Sequence, residues 1–171
     1  MTDIKKSVYF ITITLFVMNL IVICLNASSL ETGNKISDFE LHGENGIVKR
    51  DQVFKKGRYS LIIVFAEGCF YCNKNFPILN KVSFMEKLNV YGIVQDKSKV
   101  DLYRKLNKTK FKLYFSSIKN FFEKKVKIRK DVDYIVLCKG DEIIFTRTGV
   151  LSMDDYILIK TIVSKDSKRE R

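Results

Sequence analysis

Tryptophan is absent from this 171-residue chain, and proline and histidine occur once each. Glycine is sparse at eight residues, and no internal repeat or low-complexity block is present, which excludes repeat arrays and collagen-like chains. One histidine beside four cysteines leaves few donors for a structural zinc, which takes about four ligands. What the chain does have is apolar bulk. Phe, Tyr, Ile, Val and Leu recur throughout and hydrophobic residues make up 46%, so a normal core forms without disulfide staples. The length suits one domain plus an extension.

The extension is at the start. Lys5 and Lys6 precede an apolar run from Val8 to Leu25, broken only by Thr12, Thr14 and Asn19, and Ala27, Ser28 and Ser29 follow. A basic start, an apolar middle and small residues at the end fit a secretory signal. The run is also long enough for a membrane anchor, which needs roughly 17–25 residues. Residues 1–29 are therefore expected to be a signal peptide or a signal-anchor helix. Both place the lysines in the cytoplasm and the remainder outside it, in the periplasm or its extracytoplasmic equivalent, with residues 8–25 as the tether in the anchored version. A small residue is missing before Cys24, where Ile23 stands, which argues against a lipoprotein. Thiols outside the cytoplasm are not held reduced by default.

The net charge is +12, and the basic residues cluster between Lys97 and Lys130 and in the tail "KDSKRER". An exported protein seldom meets nucleic acid, so a solvated lysine-rich surface, or attraction to anionic lipid headgroups, fits better. Residues 30–164 read as the folded domain and 165–171 as a disordered basic tail.

Along the domain, "ISDFELHGENGIVKR" alternates around Glu44–Gly46 as a hairpin does. "DQVFKKG" reads as a short helical turn. Ser60 to Ala66 is a near-continuous apolar run, the mark of a strand buried on both faces. From Phe70 to Leu88 the residues Phe76, Leu79, Val82, Met85 and Leu88 recur every three, a helical stripe that Pro77 is expected to kink. "NVYGIVQ" is a strand. "SKVDLYRKLNK" and "SSIKNFFEKKVK" are helices, and Phe111–Phe115 between them is undecided. "DVDYIVLC" and "EIIFTRTG" form a hairpin about "KGD", and Ser152 caps a final helix whose first turn is acidic. This order predicts an α/β domain: a central mixed sheet flanked by helices on both faces, preceded by the N-terminal hydrophobic helix.

The chemistry lies in "AEGCFYCNKNFP". Alone, Cys69-x-x-Cys72 is open between chance, a zinc half-site and a redox pair. Its place narrows the choice: it follows a core strand where a helix is expected to begin, and open α/β sheets put their sites there. Unpaired N–H groups and the helix dipole favour a thiolate at such a position, lowering a cysteine pKa from about 8.5 towards roughly 3.5–7.5. Cys69 would attack a substrate disulfide or thiol, and Cys72, one turn on, would resolve the mixed disulfide.

At these residues the chain resembles the exported or membrane-anchored thioredoxin-like proteins of the TlpA/ResA type. "ISDFEL" resembles their opening x-x-D-F-x-L, and "GIVKRDQVFKKGRYSLIIVF" their glycine, short helix and first core strand. "AEGCFYCNKNFP" resembles A-x-x-C-x-x-C-x-x-x-(F/M)-P, and "CKGDEIIFTRTGVLS" the late hairpin, glycine and helix start. The likeness covers about residues 36–164. It implies a thioredoxin-like fold and dithiol–disulfide exchange without a cofactor or metal. The implied partners are thiol- or disulfide-bearing proteins, a membrane electron-donor protein and the inner membrane itself, with the chain a monomer and no nucleic acid bound.

The chain departs from that pattern in three places. The family's cis-proline before the penultimate strand has no counterpart, because no proline follows Pro77. Asp133 (or Val132) occupies that position, and a cis bond without proline costs about 2.5–4 kcal/mol, so a trans bond is expected. An ionised Asp133 near Cys69 would raise the thiol's pKa by like-charge repulsion. Second, Ile63 stands where thioredoxins bury an acid, and Asn75 where the TlpA/ResA group carries a glutamate. Proton handling then falls to water, Glu67, Asp133 or Tyr71. Third, Phe70-Tyr71 replaces the usual proline-containing pair between the cysteines. Phe70, Tyr71, Val132 and Asp133 are expected to contact substrate. Cys138 reads as a small buried hydrophobe and His42 as a solvated hairpin side chain. The competing readings are a disulfide isomerase or oxidase, and a noncatalytic interaction module at the membrane surface.

Overall fold

The computed structural model describes residues 32–36, 38–66, 74–116 and 132–169. The N-terminal apolar run, the expected helix "SSIKNFFEKKVK" and the cysteine pair lie outside them. Among the described residues no helix is long and apolar enough to cross a membrane.

Chain order is β1 (Glu40–Gly43), β2 (Gly46–Lys49), α1 (Arg50–Val53), β3 (Tyr59–Val64), α2 (Phe76–Val82), β4 (Leu88–Val94), α3 (Lys97–Asn107), β5 (Lys112–Phe115), β6 (Tyr134–Lys139), β7 (Glu142–Thr148) and α4 (Met153–Arg169). The strands form one seven-stranded sheet in the order β2-β1-β5-β4-β3-β6-β7. β3 pairs in parallel with β4, and β4 with β5, while β6 and β7 and the β1–β2 hairpin run antiparallel. The sheet is mixed, as the element order predicts.

β3 shows why its sequence is apolar on both faces. Leu61, Ile63 and Phe65 face a core shared with α2 and α4, through Phe76, Leu79, Val82, Ile159 and Val163. Ile62 and Val64 face the opposite core with Leu41, Val53, Phe54, Tyr91 and Tyr114. Full burial of each such side chain contributes about 1.5–3 kcal/mol. Ser60, the polar exception, is buried because its Oγ donates to the Val53 carbonyl at 2.8 Å. On β4, Gly92 marks a close approach: a Cβ there would stand 2.5 Å from Leu113 Cδ2 and 2.9 Å from Phe111.

Four local expectations change. α2 begins at Phe76 and ends at Val82, so Pro77 sits in the first turn, where its missing N–H leaves no intrahelical bond unmade and no kink follows. Residues 83–87 form turns that lead into β4 instead of prolonging the helix to Leu88. The undecided stretch before Phe115 is β5, which fills the gap between β4 and β1. The last helix continues to Arg169, because no proline or glycine follows Ser164 to stop it. Its start is as expected. Asp155 N–H donates to Ser152 Oγ at 3.1 Å, and Ser152 N–H donates back to the Asp155 carboxylate at 2.7 Å.

Candidate active site

Three segments meet at the carboxyl end of β3. The first is the exit from β3, Phe65–Ala66. The second is the approach to β6, Val132–Asp133. The third is the turn after β7, Gly149–Leu151, where Gly149 takes a φ of +85° that only glycine adopts without strain. The Gly149 N–H donates to the Asp133 carbonyl at 2.8 Å, which closes the β6–β7 ladder at this end. The peptide bond into Asp133 is trans, as expected for a chain without proline there.

Two polar side chains hold these segments together from within. Asp133 is 4% exposed and Asn75 1%. The Ala66 N–H donates to one Asp133 carboxylate oxygen at 3.0 Å, and Asn75 Nδ2 to the other at 2.7 Å. Asn75 Nδ2 also donates to the Gly149 carbonyl at 3.1 Å, while Asn75 Oδ1 accepts from the Leu151 N–H at 2.7 Å. An N–H on one side and two acceptors on the other leave the amide a single satisfactory orientation. Close by, Gln95 Nε2 donates to the Phe65 carbonyl at 3.1 Å and ties β4 to the same strand exit.

Electrostatically, Asp133 is poised. Burial raises its pKa, and the hydrogen bonds from Ala66 and Asn75, which favour the charged form, only partly oppose that. Tyr103 on α3 responds in turn: burial raises its pKa, and the Asp133 carboxylate raises it further. Tyr103 belongs to an aromatic floor in which Phe65 stacks on Phe76 with ring centres 5.1 Å apart, while Tyr103 lies 5.5 and 5.9 Å from them.

Of the residues singled out from the sequence, Val132 and Asp133 are placed here, with Val132 half-buried and the Asp133 carboxyl turned inward. Glu67, Cys69, Phe70, Tyr71 and Cys72 lie outside the described residues, in the segment 67–73 whose two ends are Ala66 and Lys74. Cys138 is a fully buried free thiol whose pKa burial pushes up to about 12, with Asp141 adding to the shift. His42 is exposed, beside the Phe115 ring. Among the described residues no three of His, Cys, Asp or Glu gather as a metal site. Sequence reasoning misses Asn75 as a functional group, treating it only as a lost glutamate. The available signal is a polar residue directly ahead of the apolar Phe76-Pro77 helix start.

No protein-family profile and no curated protein sequence matches the chain. Its structure is similar to the thioredoxin domain of a thiol-disulfide oxidoreductase from Bacteroides vulgatus, with a TM-score of 0.67 and 21% identity over 79% of this chain and 99% of that one. It is similar also to a thiol:disulfide interchange protein from a Bacteroides species, at TM-score 0.62 and 20% identity over 78% and 91%. A third likeness is to the pneumococcal exposed lipoprotein thioredoxin from Streptococcus pneumoniae, at TM-score 0.55 and 16% identity over 72% and 97%. The chain has the thioredoxin-like fold.

Proposed function

We propose that this chain is a thiol–disulfide oxidoreductase that acts on cysteine-containing proteins outside the cytoplasm through Cys69 and Cys72. One observation carries the reading. The residues flanking both cysteines in the chain, Ala66 at the carboxyl end of the central strand β3 and Asn75 ahead of α2, both donate to one buried acid, Asp133. Thioredoxin-like neighbours whose names include thiol-disulfide oxidoreductase and thiol:disulfide interchange protein support it.

In the reducing direction the Cys69 thiolate attacks one sulfur of a client disulfide. The client S–S bond breaks, its other sulfur leaves as a thiolate that takes a proton, and a Cys69–client mixed disulfide forms. The Cys72 thiolate then attacks Cys69 Sγ and releases the second client thiol. Two electrons pass to the client, and the Cys69–Cys72 disulfide must be reduced again by an external dithiol donor, for which a membrane protein suits. Run backwards, the same steps oxidise a client dithiol. No metal or organic cofactor enters. Asp133 and Glu67 are the groups proposed to handle the proton at the pair, and Phe70, Tyr71 and Val132 to border the client. Residues 8–25 tether the domain to the cytoplasmic membrane or direct its export. The exposed lipoprotein among its structural neighbours is consistent with action outside the cytoplasm.

The test is a trap. Cys72→Ser should accumulate mixed disulfides on Cys69 that disappear under a reductant, and Cys69→Ser should not. Exchange with a disulfide substrate should vanish in both variants. Partners that bind equally well with both cysteines replaced, and no exchange in the parent protein, would instead identify an interaction module.

A further inference from the structure

The Asp133 carboxylate bonds Ala66, the last described residue before the cysteine segment, and Asn75, the second described residue after it. Both ends of that segment are therefore fastened to one side chain, 58 residues on from Asn75. Asn75 does the greater part of the fastening. Its amide also holds the Gly149 carbonyl and the Leu151 N–H, so one buried group links the start of α2, the approach to β6 and the turn after β7.

We propose that Asn75 is a positioning residue for the exchange site, acting through Asp133: its amide fixes the carboxylate that staples the two ends of the Cys69–Cys72 segment. The proposal rests on the oxidoreductase reading for its consequence, though the staple itself does not depend on it. The physical argument is one of acceptors. Both oxygens of an ionised Asp133 accept strong, charge-assisted bonds. A proton on either oxygen leaves a poor acceptor and weakens the link to Ala66 or to Asn75. Asn75 cannot adapt by turning over, because Leu151 would then present its N–H to the amide NH2 group. The staple is tight when Asp133 is charged and slack when it is neutral. Of the described titratable groups, Tyr103 on α3 faces this carboxylate. Glu67, Cys69, Tyr71 and Cys72 are the groups on the stapled segment.

The experiment compares four full-length proteins in a Cys72→Ser background: the parent, Asn75→Ala, Asp133→Asn, and the swap Asn75→Asp with Asp133→Asn. Iodoacetamide alkylation of Cys69 is followed against pH on the Cys69 peptide by mass spectrometry. Exchange rates are measured in parallel with Cys72 intact. Losing the Asn75 donor favours the neutral form of Asp133. Asn75→Ala should therefore lower the Cys69 alkylation midpoint by about half a pH unit or more, because like-charge repulsion is relieved. Exchange should slow about tenfold, because the segment is less well placed. Simple unfolding would instead move the midpoint towards the free-cysteine value of about 8.5. In the swap, the amide introduced at position 133 donates to the carboxylate introduced at position 75 and its oxygen still accepts from Ala66, while the Gly149 carbonyl loses its donor. Both readouts should return part of the way to the parent, further than Asp133→Asn alone brings them. A folded Asn75→Ala protein with parental midpoint and rate would overturn the staple. So would a swap no better than Asp133→Asn, which decides the matter if Asn75→Ala fails to fold. A parent without exchange, combined with a midpoint that moves in Asn75→Ala, would sink the oxidoreductase reading and leave the positioning role standing.

Discussion

Strand β6 has an aspartate at each end, and the two are used in opposite ways. Asp133 precedes the strand, is buried, and is held by two neutral N–H donors, with its pKa raised by desolvation. Asp141 follows the strand in the β6–β7 turn and is partly exposed. Arg50 Nη2 lies 2.6 Å from it and Lys35 Nζ 3.6 Å. Slight burial pushes the Asp141 pKa up, and the Arg50 hydrogen bond with the Lys35 and Arg50 charges outweighs this and holds it below 3.8. Cations quench a carboxylate and make it a clip. Here the clip pins the segment around Ile36, whose carbonyl also accepts from Arg50 Nε at 2.9 Å, to the hairpin end of the sheet. Burial leaves Asp133 readier to take up a proton, and it stands at the end of the sheet where the cysteine segment begins.

The contrast can be broken from its buried side first. Asn75→Leu would remove the donor to one Asp133 oxygen and to the Gly149 carbonyl, and the acceptor of the Leu151 N–H, all in a buried site. It should cost about 3 kcal/mol of stability or more, read by urea unfolding. Asp133→Asn should have a smaller effect at neutral pH. It places an amide NH2 against the donors of Ala66 or Asn75, but it also removes a buried charge. Its sharper signature is in pH dependence. The Asp133 pKa lies above 3.8 in the folded state. The stability this group contributes is therefore whole below pH 3.8 and lost as pH rises from there through its folded pKa. That slope should be missing from unfolding curves of Asp133→Asn. Asp141→Asn should have the smallest effect and the opposite sign. Its contribution is present above pH 3.8 and fades as the pH falls. At neutral pH its loss should be roughly 0.5 kcal/mol and shrink further in high salt, as for other exposed pairs. Equal pH slopes for the two variants would end the comparison.

How much of this is legible beforehand follows from how far apart the deciding residues stand. The Glu44–Gly46 hairpin, the β3 run and the Ser152 cap are local patterns, and each lies where its residues place it. β5 is undecided from sequence because Phe111–Phe115 has no alternation of its own. It becomes a strand through its bonds to β4 and β1. Pro77 reads as a kink because the three-residue spacing runs past it. The spacing is real, since Phe76, Leu79 and Val82 all reach the core, but the helix starts beside the proline. Asp133 stands out in the sequence only as a replacement for proline. Nothing in its neighbours indicates that its carboxyl turns inward onto Asn75.

Local order alone determined the β3 strand, the mixed α/β architecture and the resemblance that follows from the motifs around them. Periodicity, turn residues and a paired-cysteine spacing are properties of short stretches of chain. Only the tertiary structure decided that Asn75 and Asp133 form one unit. A buried hydrogen bond between residues 58 positions apart exists only once the sheet has brought the ends of β3 and β6 side by side. The desolvation that shifts Asp133 comes from that same closure, because a carboxyl group on an open chain keeps its water.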